Sequence, residues 1–249
     1  KCRKPKEAYF APDKAAIFGR DRHPAECDCQ RAAREEREAA EKRRRHLDTV
    51  EELKRRGFTD PTMRDWTFEN DNGRNPQAGI ARRYVEHWEE MRKRNVGLLF
   101  YGDVGMGKSY AAYCIANALI DRGIFVLATS LPKLLSSIQS NFGDQSEVLR
   151  DIEEAELVVI DDLGVERTGS FGQEKVFEVI DTRTKSGRPL IVTTNLDPTD
   201  LQTEETRYKR VYDRIVGQCH PVKFIGESLR RRAARESRQE VQRILEGEA

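Results

Sequence analysis

The chain has 249 residues and a mass of 28.7 kDa, room for one large domain or for one of about 170 to 190 residues with an extension, and too little for two full catalytic domains. Its 44 Lys and Arg against 43 Asp and Glu leave a net charge of +1, which excludes a global basic field of the kind that drives bulk nucleic-acid binding. Charged residues make up 35% of the chain, above the roughly 25% of an average domain, so the excess belongs to identifiable stretches.

The first residues, Lys1-Cys2-Arg3-Lys4-Pro5-Lys6, contain no apolar stretch resembling a signal peptide and no initiator Met, and the chain is expected to begin inside a longer protein. Five cysteines without a secretory signal favour a reducing, cytoplasmic compartment over a disulfide framework. Cys27-Asp28-Cys29 is too tight for an ordinary structural disulfide, and with Cys2 it supplies three thiolates on a segment that has little core. A structural Zn²⁺ would let such a segment fold, its fourth ligand being His23 or a cysteine upstream of Lys1. Reduced cysteines without a metal are the alternative. Cys114 and Cys219 read as packing residues.

Residues 31–57 hold ten basic and seven acidic side chains, including Lys42-Arg43-Arg44-Arg45. This is the pattern of an exposed helix held by i,i+4 charge pairs, with almost no apolar stripe to bury. Gly57 and Pro61 end it, and Asp71-Asn72-Gly73-Arg74-Asn75-Pro76 is a second group of breakers. The expected organisation is a charged N-terminal segment over 1–60 that binds a partner, contacts nucleic acid or does nothing specific, a linker over 61–78 and an α/β nucleotide-binding domain over 79–249.

From residue 79 the pattern alternates. Helix 79–94 precedes the apolar run Val96 to Tyr101, helix 108–121 precedes the run Ile124 to Ala128, and helix 131–140 precedes the run Leu157 to Ile160. Helix 172–186, the run Leu190 to Val192, helix 204–216 and a short strand near Val222 to Ile225 complete the series. Apolar runs alternating with helices predict an α/β fold whose mainly parallel sheet is covered on both faces. No apolar run reaches the 18 residues of a membrane span; the longest, Ala111 to Ile120, is interrupted by Asn117.

Between the first strand and its helix lies Gly102-Asp103-Val104-Gly105-Met106-Gly107-Lys108-Ser109, a G-x-x-x-x-G-K-[ST] loop in the strand–helix context that its chemistry requires. Glycines let backbone N–H groups turn inward around phosphate oxygens, the helix N-terminus adds positive potential, Lys108 reaches the outer phosphates, and Ser109 offers its hydroxyl to Mg²⁺. The strand Leu157-Val158-Val159-Ile160 delivers Asp161 and Asp162 to the same sheet edge, one acid for Mg²⁺ and one for the attacking water. Leu190-Ile191-Val192-Thr193-Thr194 ends in Asn195, a neutral amide able to position that water. The helix around 204–216 aligns Arg207, Arg210 and Arg214 beside Tyr208, Val211, Tyr212 and Ile215. Such a stripe is either a solvated face or the source of an arginine finger.

These motifs, with Tyr212-Asp213-Arg214-Ile215 and Phe224-Ile225-Gly226-Glu227-Ser228-Leu229-Arg230, resemble the AAA+ ATPases of the DnaC-type helicase-loader and IstB group over residues 62–249. The resemblance implies an AAA+ P-loop fold with a five-stranded parallel sheet, and an ATP- and Mg²⁺-dependent ATPase. In it Asp161 is the metal-side acid and Asp162 stands where most AAA+ proteins carry Glu. Asn195 matches sensor 1, Arg214 the arginine finger with Arg210 in reserve, and Arg230 the sensor 2 arginine. It implies a homo-oligomer that assembles on nucleotide, DNA or partner, and a chain too short after Phe224 for the separate helical lid of larger AAA+ proteins. It further implies loading of a DnaB-type replicative helicase onto single-stranded DNA, with Lys133, Ser170 and Phe171 as candidate DNA contacts. Mobile-element and phage-type relatives of this kind carry C-x-x-C followed by C-x-C, which would put the missing zinc ligand just before Lys1. An IstB-type transposition ATPase acting on duplex DNA with a transposase, and a non-hydrolysing scaffold switched by nucleotide, are the alternatives.

Overall fold

The computed structural model describes residues 7–9, 11, 21–24, 26–71, 75, 77–140, 145–164, 170–198 and 206–246. The chain divides into two compact units, Lys1–Thr49 and Val50–Ala249. In the first, strand β1 (Glu7–Tyr9) pairs antiparallel with β2 (Arg22–Pro24), and the Arg22 guanidinium lies 5.1 Å from the centre of the Tyr9 ring. Helix α1 (Asp28–Gly57) is exposed along its charged N-terminal half, where Arg34 bridges Glu26 and Glu38 at 2.9 to 3.1 Å.

The second unit is built on a parallel sheet of β3 (Gly97–Gly102), β4 (Val126–Ser130), β5 (Leu157–Asp161), β6 (Leu190–Thr194) and β7 (Cys219–Phe224), in the order β4-β5-β6-β3-β7. Side chains alternate across it as strand geometry demands. Leu98, Phe100, Leu157, Val159 and Ile191 join one core cluster, while Leu99, Val158, Ile160, Leu190 and Val192 join the other. The first cluster is closed by α2 (Ala78–Glu86), α3 (Trp88–Lys93) and α4 (Lys108–Ile120), the second by α5 (Leu131–Ser140), α6 (Gln145–Glu154), α7 (Ser170–Lys185) and α8 (Thr206–Gln218). The chain ends in α9 (Leu229–Leu245), which buries none of its residues. Among the described residues no helix is long and apolar enough to cross a membrane.

The compact body reaches back to Val50, whereas the sequence pattern starts it at residue 79. The difference lies in aromatic residues scattered between breakers, where no periodicity marks them. Phe58 pairs with Ala128 at the sheet edge and stacks on Tyr113 at 6.0 Å; Trp66 packs on Tyr110 at 5.4 Å and on Tyr113 at 5.6 Å. Asn117, which interrupts the apolar run of α4, is 1% exposed and donates its amide to the carbonyls of Met63, Trp66 and Tyr113 at 2.9 to 3.1 Å. A polar residue in a helix buried on all sides thus ties the segment Pro61–Trp66 to the sheet layer.

Candidate functional site

All five strands point their C-terminal ends at one edge, which is where an open α/β sheet binds ligands. A cleft of about 590 Å³ opens there. Its phosphate-loop side is formed by Val104 to Ser109, its acidic side by Asp161, Asp162 and Asn195, and its far wall by Met63, Trp66, Asn70, Asp71 and Tyr110. Arg230 enters from α9.

The loop needs its glycines. Gly105 and Gly107 have φ of +85° and +88°, and a Cβ on Gly105 would lie 2.2 Å from Ser228 Oγ. Leu229 N donates to Gly105 O at 2.8 Å, so the residue preceding Arg230 is seated directly on the loop. Asn75 fastens the other side, its Nδ2 donating to Gly107 O at 3.0 Å.

Lys108 is only 6% exposed, and its Nζ donates to Gly102 O at 2.8 Å, Asp103 O at 2.7 Å and Asn195 Oδ1 at 2.9 Å. Asn195 Nδ2 in turn approaches Asp162 Oδ1 at 3.4 Å. The sheet therefore brings the phosphate-loop lysine, the amide of β6 and the second acid of β5 together from three separate stretches of sequence. Asp161 is 8% exposed and accepts from Thr193 Oγ1 at 2.6 Å, and the nearby Ser109 side chain favours its charged form. Burial pushes the Lys108 ammonium below its ordinary value against the pull of neighbouring carboxylates, and pushes the Asp161 carboxyl above its own, with the Asp162 charge and against its hydrogen bonds. Both ions lack solvation that a ligand can restore: a polyphosphate beside Lys108 and a cation beside Asp161.

The Ser109 hydroxyl and the Asp161 carboxylate are hard oxygen donors, two in number and next to the phosphate loop. That set suits Mg²⁺, which takes one or two protein oxygens and completes its shell with phosphate and water.

Arg214 does not line this cleft. Its Nε and one Nη donate to Asp181 Oδ1 at 2.9 and 2.8 Å, and its guanidinium lies 4.6 Å from the centre of the Phe177 ring. Arg210, one turn earlier, is exposed. Val211, Tyr212 and Ile215 are buried, so the helix turns its apolar stripe to the core and leaves Arg210 exposed and Arg214 half-buried. The side chains of Arg207 and Tyr208 lie outside the described residues.

Lys133 is bound to Asp60 at 2.7 Å, a contact that with Thr62 holds the Asp60 carboxyl down to about 2. The side chains of Ser170 and Phe171 lie outside the described residues. Of the candidate zinc ligands, Cys27 and Cys29 place their sulfurs 2.9 Å apart, while Cys2 and the His23 side chain lie outside the described residues. Among the described residues no three His, Cys, Asp or Glu side chains converge on a metal site.

Sequence reasoning missed the far wall of the cleft, assigning all of it but Tyr110 to a linker. The available signal was Trp66-Thr67-Phe68, two aromatic residues in a stretch otherwise read as loop.

The sequence profile of the IstB-like ATP binding proteins matches residues 32–237. The chain belongs to this family. It is an ATPase with the AAA+ fold, similar both to helicase loaders and to insertion-sequence ATP-binding proteins. The replicative helicase loader DnaC of Escherichia coli K12 is 27% identical over 203 residues, 78% of this chain and 80% of DnaC. A putative ATP-binding protein in an insertion sequence of Mycobacterium tuberculosis is 25% identical over 140 residues, 54% of this chain and 56% of that protein. The crystal structure of DnaI superposes with a TM-score of 0.55 at 24% identity, covering 69% of this chain and 94% of DnaI, which bears out the fold.

Proposed function

We propose that this chain is an ATP-driven loader that places a DnaB-type replicative helicase on single-stranded DNA in the cytoplasm. The observation that carries the ATP-driven part is the convergence of Lys108, Asn195 and Asp162 within hydrogen-bonding reach at the mouth of one cleft. The loader part is supported by similarity to DnaC extending over 80% of that protein's length, against 56% for the insertion-sequence protein.

In this reading the N–H groups of Gly102 to Ser109 and the Lys108 ammonium hold the β- and γ-phosphates of ATP. Ser109 and Asp161 would hold Mg²⁺, which would supply charge neutralisation to the phosphates. Asp162, aimed at Asn195, orients the attacking water, and Asn195 donates its Nδ2 to the γ-phosphate once Lys108 leaves Asn195 Oδ1 for the phosphates. Arg230, seated on the loop through Leu229, reads which nucleotide is present, and Arg214 serves the cleft of a neighbouring copy. The oligomer grips single-stranded DNA through Lys133, which exchanges Asp60 for a backbone phosphate, together with Ser170 and Phe171. The charged N-terminal segment, residues 1–60, binds the helicase.

Sedimentation and ATPase rate of the purified chain, with single-stranded DNA, duplex DNA and a DnaB-type helicase in turn, test this. Helicase-dependent assembly with hydrolysis stimulated by single-stranded DNA is expected, and Lys108→Ala is expected to lose nucleotide binding by about 100-fold or more, about 2.7 kcal/mol. Indifference to helicase with assembly on duplex DNA and a transposase would instead select the transposition ATPase, which the family profile favours. Absence of phosphate release with every partner present would leave a nucleotide-switched scaffold.

A Zn²⁺ site of Cys2, Cys27 and Cys29 with a ligand upstream or at His23 rests on the C-x-C spacing alone, and the two sulfurs, 2.9 Å apart, would have to separate to hold one tetrahedral ion. Elemental analysis of a chain extended before Lys1 should give one zinc per chain, and loss of N-terminal protease resistance on chelation. A folded, metal-free N-terminus would end that assignment.

A further inference from the structure

Thr193 is 1% exposed near the end of β6 and is not part of the cleft lining, although Asp161, Asp162 and Asn195 are. A backbone N–H can only donate, so the 2.9 Å contact from Asp162 N obliges the Thr193 hydroxyl to accept there. Its single proton is then left for Asp161 Oδ1, 2.6 Å away. A hydroxyl that normally rotates freely is thereby directed by the backbone of the residue next to its target.

The same stretch is fastened twice more. Leu163 N donates to Thr193 O at 2.8 Å, and Thr194 Oγ1 donates to Leu163 O at 2.7 Å. Together these contacts hold Asp162 at φ +60°, a left-handed conformation that non-glycine residues seldom adopt. The turn carries the Asp162 carboxyl to 3.4 Å from Asn195 Nδ2. Ser109, from α4, also favours the charged form of Asp161.

We propose that the Thr193 hydroxyl is the positioning group for both carboxylates: it fixes the rotation of Asp161 so that the oxygen lone pairs it leaves free face Ser109 and a divalent cation, and it anchors the turn that aims Asp162. The proposal rests on the reading of Ser109 and Asp161 as the cation's protein ligands. Thr193 itself touches neither nucleotide nor cation. A group that orients a metal ligand from behind is worth about 10- to 100-fold in metal affinity.

The test compares the full chain with Thr193→Val, which keeps the branched shape without the hydroxyl, and Thr193→Ser, which keeps the hydroxyl. Free Mn²⁺ measured by electron paramagnetic resonance in the presence of ADP gives cation affinity, and a fluorescent ADP analogue in excess chelator gives cation-free nucleotide affinity. Thr193→Val should bind Mn²⁺ about 10-fold or more weakly, keep its cation-free nucleotide affinity, and lose kcat more than it gains in KM for ATP. Thr193→Ser should restore all three. Unchanged Mn²⁺ affinity in Thr193→Val overturns the proposal, as does a Thr193→Ser variant as weak as Thr193→Val. If Thr193→Val fails to fold, Thr193→Cys, with a weak S–H donor, should lie between; wild-type affinity there overturns it equally. Wild-type protein in which ADP does not tighten Mn²⁺ at all would instead remove the cation-site reading, and the proposal with it.

Discussion

Replacing Arg214 with alanine is expected to leave ATP binding intact and to cut hydrolysis by the assembled protein by roughly 1,000-fold, the scale on which an arginine finger stabilises transition-state charge. Arg214 lies outside its own chain's cleft, held edge-on by Asp181 and against the face of Phe177, so its removal takes nothing from that chain's nucleotide contacts. Asp181 is shared with Lys185 at 2.7 Å, and these two cations hold its carboxyl below the usual range. A triphosphate presented by a neighbouring copy offers more negative charge than this shared carboxylate, so transfer of Arg214 to it is electrostatically downhill while Asp181 keeps Lys185. Mixing gives the decisive measurement. Lys108→Ala cannot bind ATP but retains Arg214, and Arg214→Ala binds ATP but lacks the finger. Each alone should be nearly inactive, and the mixture should recover phosphate release. Full activity of Arg214→Ala at concentrations where sedimentation shows assembly would refute the assignment, and Arg210→Ala would then be the next variant to measure.

The catalytic edge of the sheet was legible because its chemistry is written in contiguous motifs. An apolar run followed by glycines and Lys108, or by Asp161 and Asp162, states both the strand and what the strand delivers. Helix α5 was expected over 131–140 and forms over Leu131–Ser140. Helix 79–94 was expected in one piece and breaks at His87 into α2 and α3, since nothing in the apolar spacing marks the change of direction. Helix α6 went unread because its few apolar side chains, Val148, Leu149 and Ile152, sit among charges that mask the period. Helix α9 went unread because its apolar residues are sparse among arginines and glutamates, and Val241, Ile244 and Leu245 stay exposed. The far wall of the cleft was illegible for a different reason. Met63 and Trp66 are held there by tertiary contacts, the amide of Asn117 on both and the rings of Tyr110 and Tyr113 on Trp66, and local spacing carries no trace of those.

Arg183 gave no signal in the sequence at all, yet its replacement by alanine is expected to be the most damaging single change to stability. It lies in the last turn of α7, is 0% exposed, and spends its guanidinium on backbone carbonyls. Nη1 donates to Ile152 O and Ala155 O at 2.8 and 2.7 Å, Nη2 to Glu156 O and Pro189 O at 3.0 and 2.7 Å, and Nε to Pro189 O at 3.2 Å. These acceptors are the end of α6 and the residues leading into β5 and β6, so one planar fork ties a helix terminus to two adjacent strands at the sheet edge opposite the cleft. Burial pulls the guanidinium below its ordinary range, and the five carbonyl contacts are what keep the ion tolerable there. Alanine would remove that charge but strip the carbonyls of Ile152, Ala155 and Glu156 of their guanidinium donor, leave Pro189 O with Val158 N at 3.3 Å, and open a cavity. The expected loss is about 3 to 5 kcal/mol from a total that is typically about 5 to 15. Arg183→Lys should recover only part of it, since an ammonium cannot reproduce the fork geometry. Urea unfolding measures the loss, and nucleotide affinity in the absence of denaturant should change little in whatever fraction remains folded. An Arg183→Ala midpoint within the error of wild type would show that the carbonyls find other partners, and that the junction of α6 with the sheet is held by its apolar contacts alone.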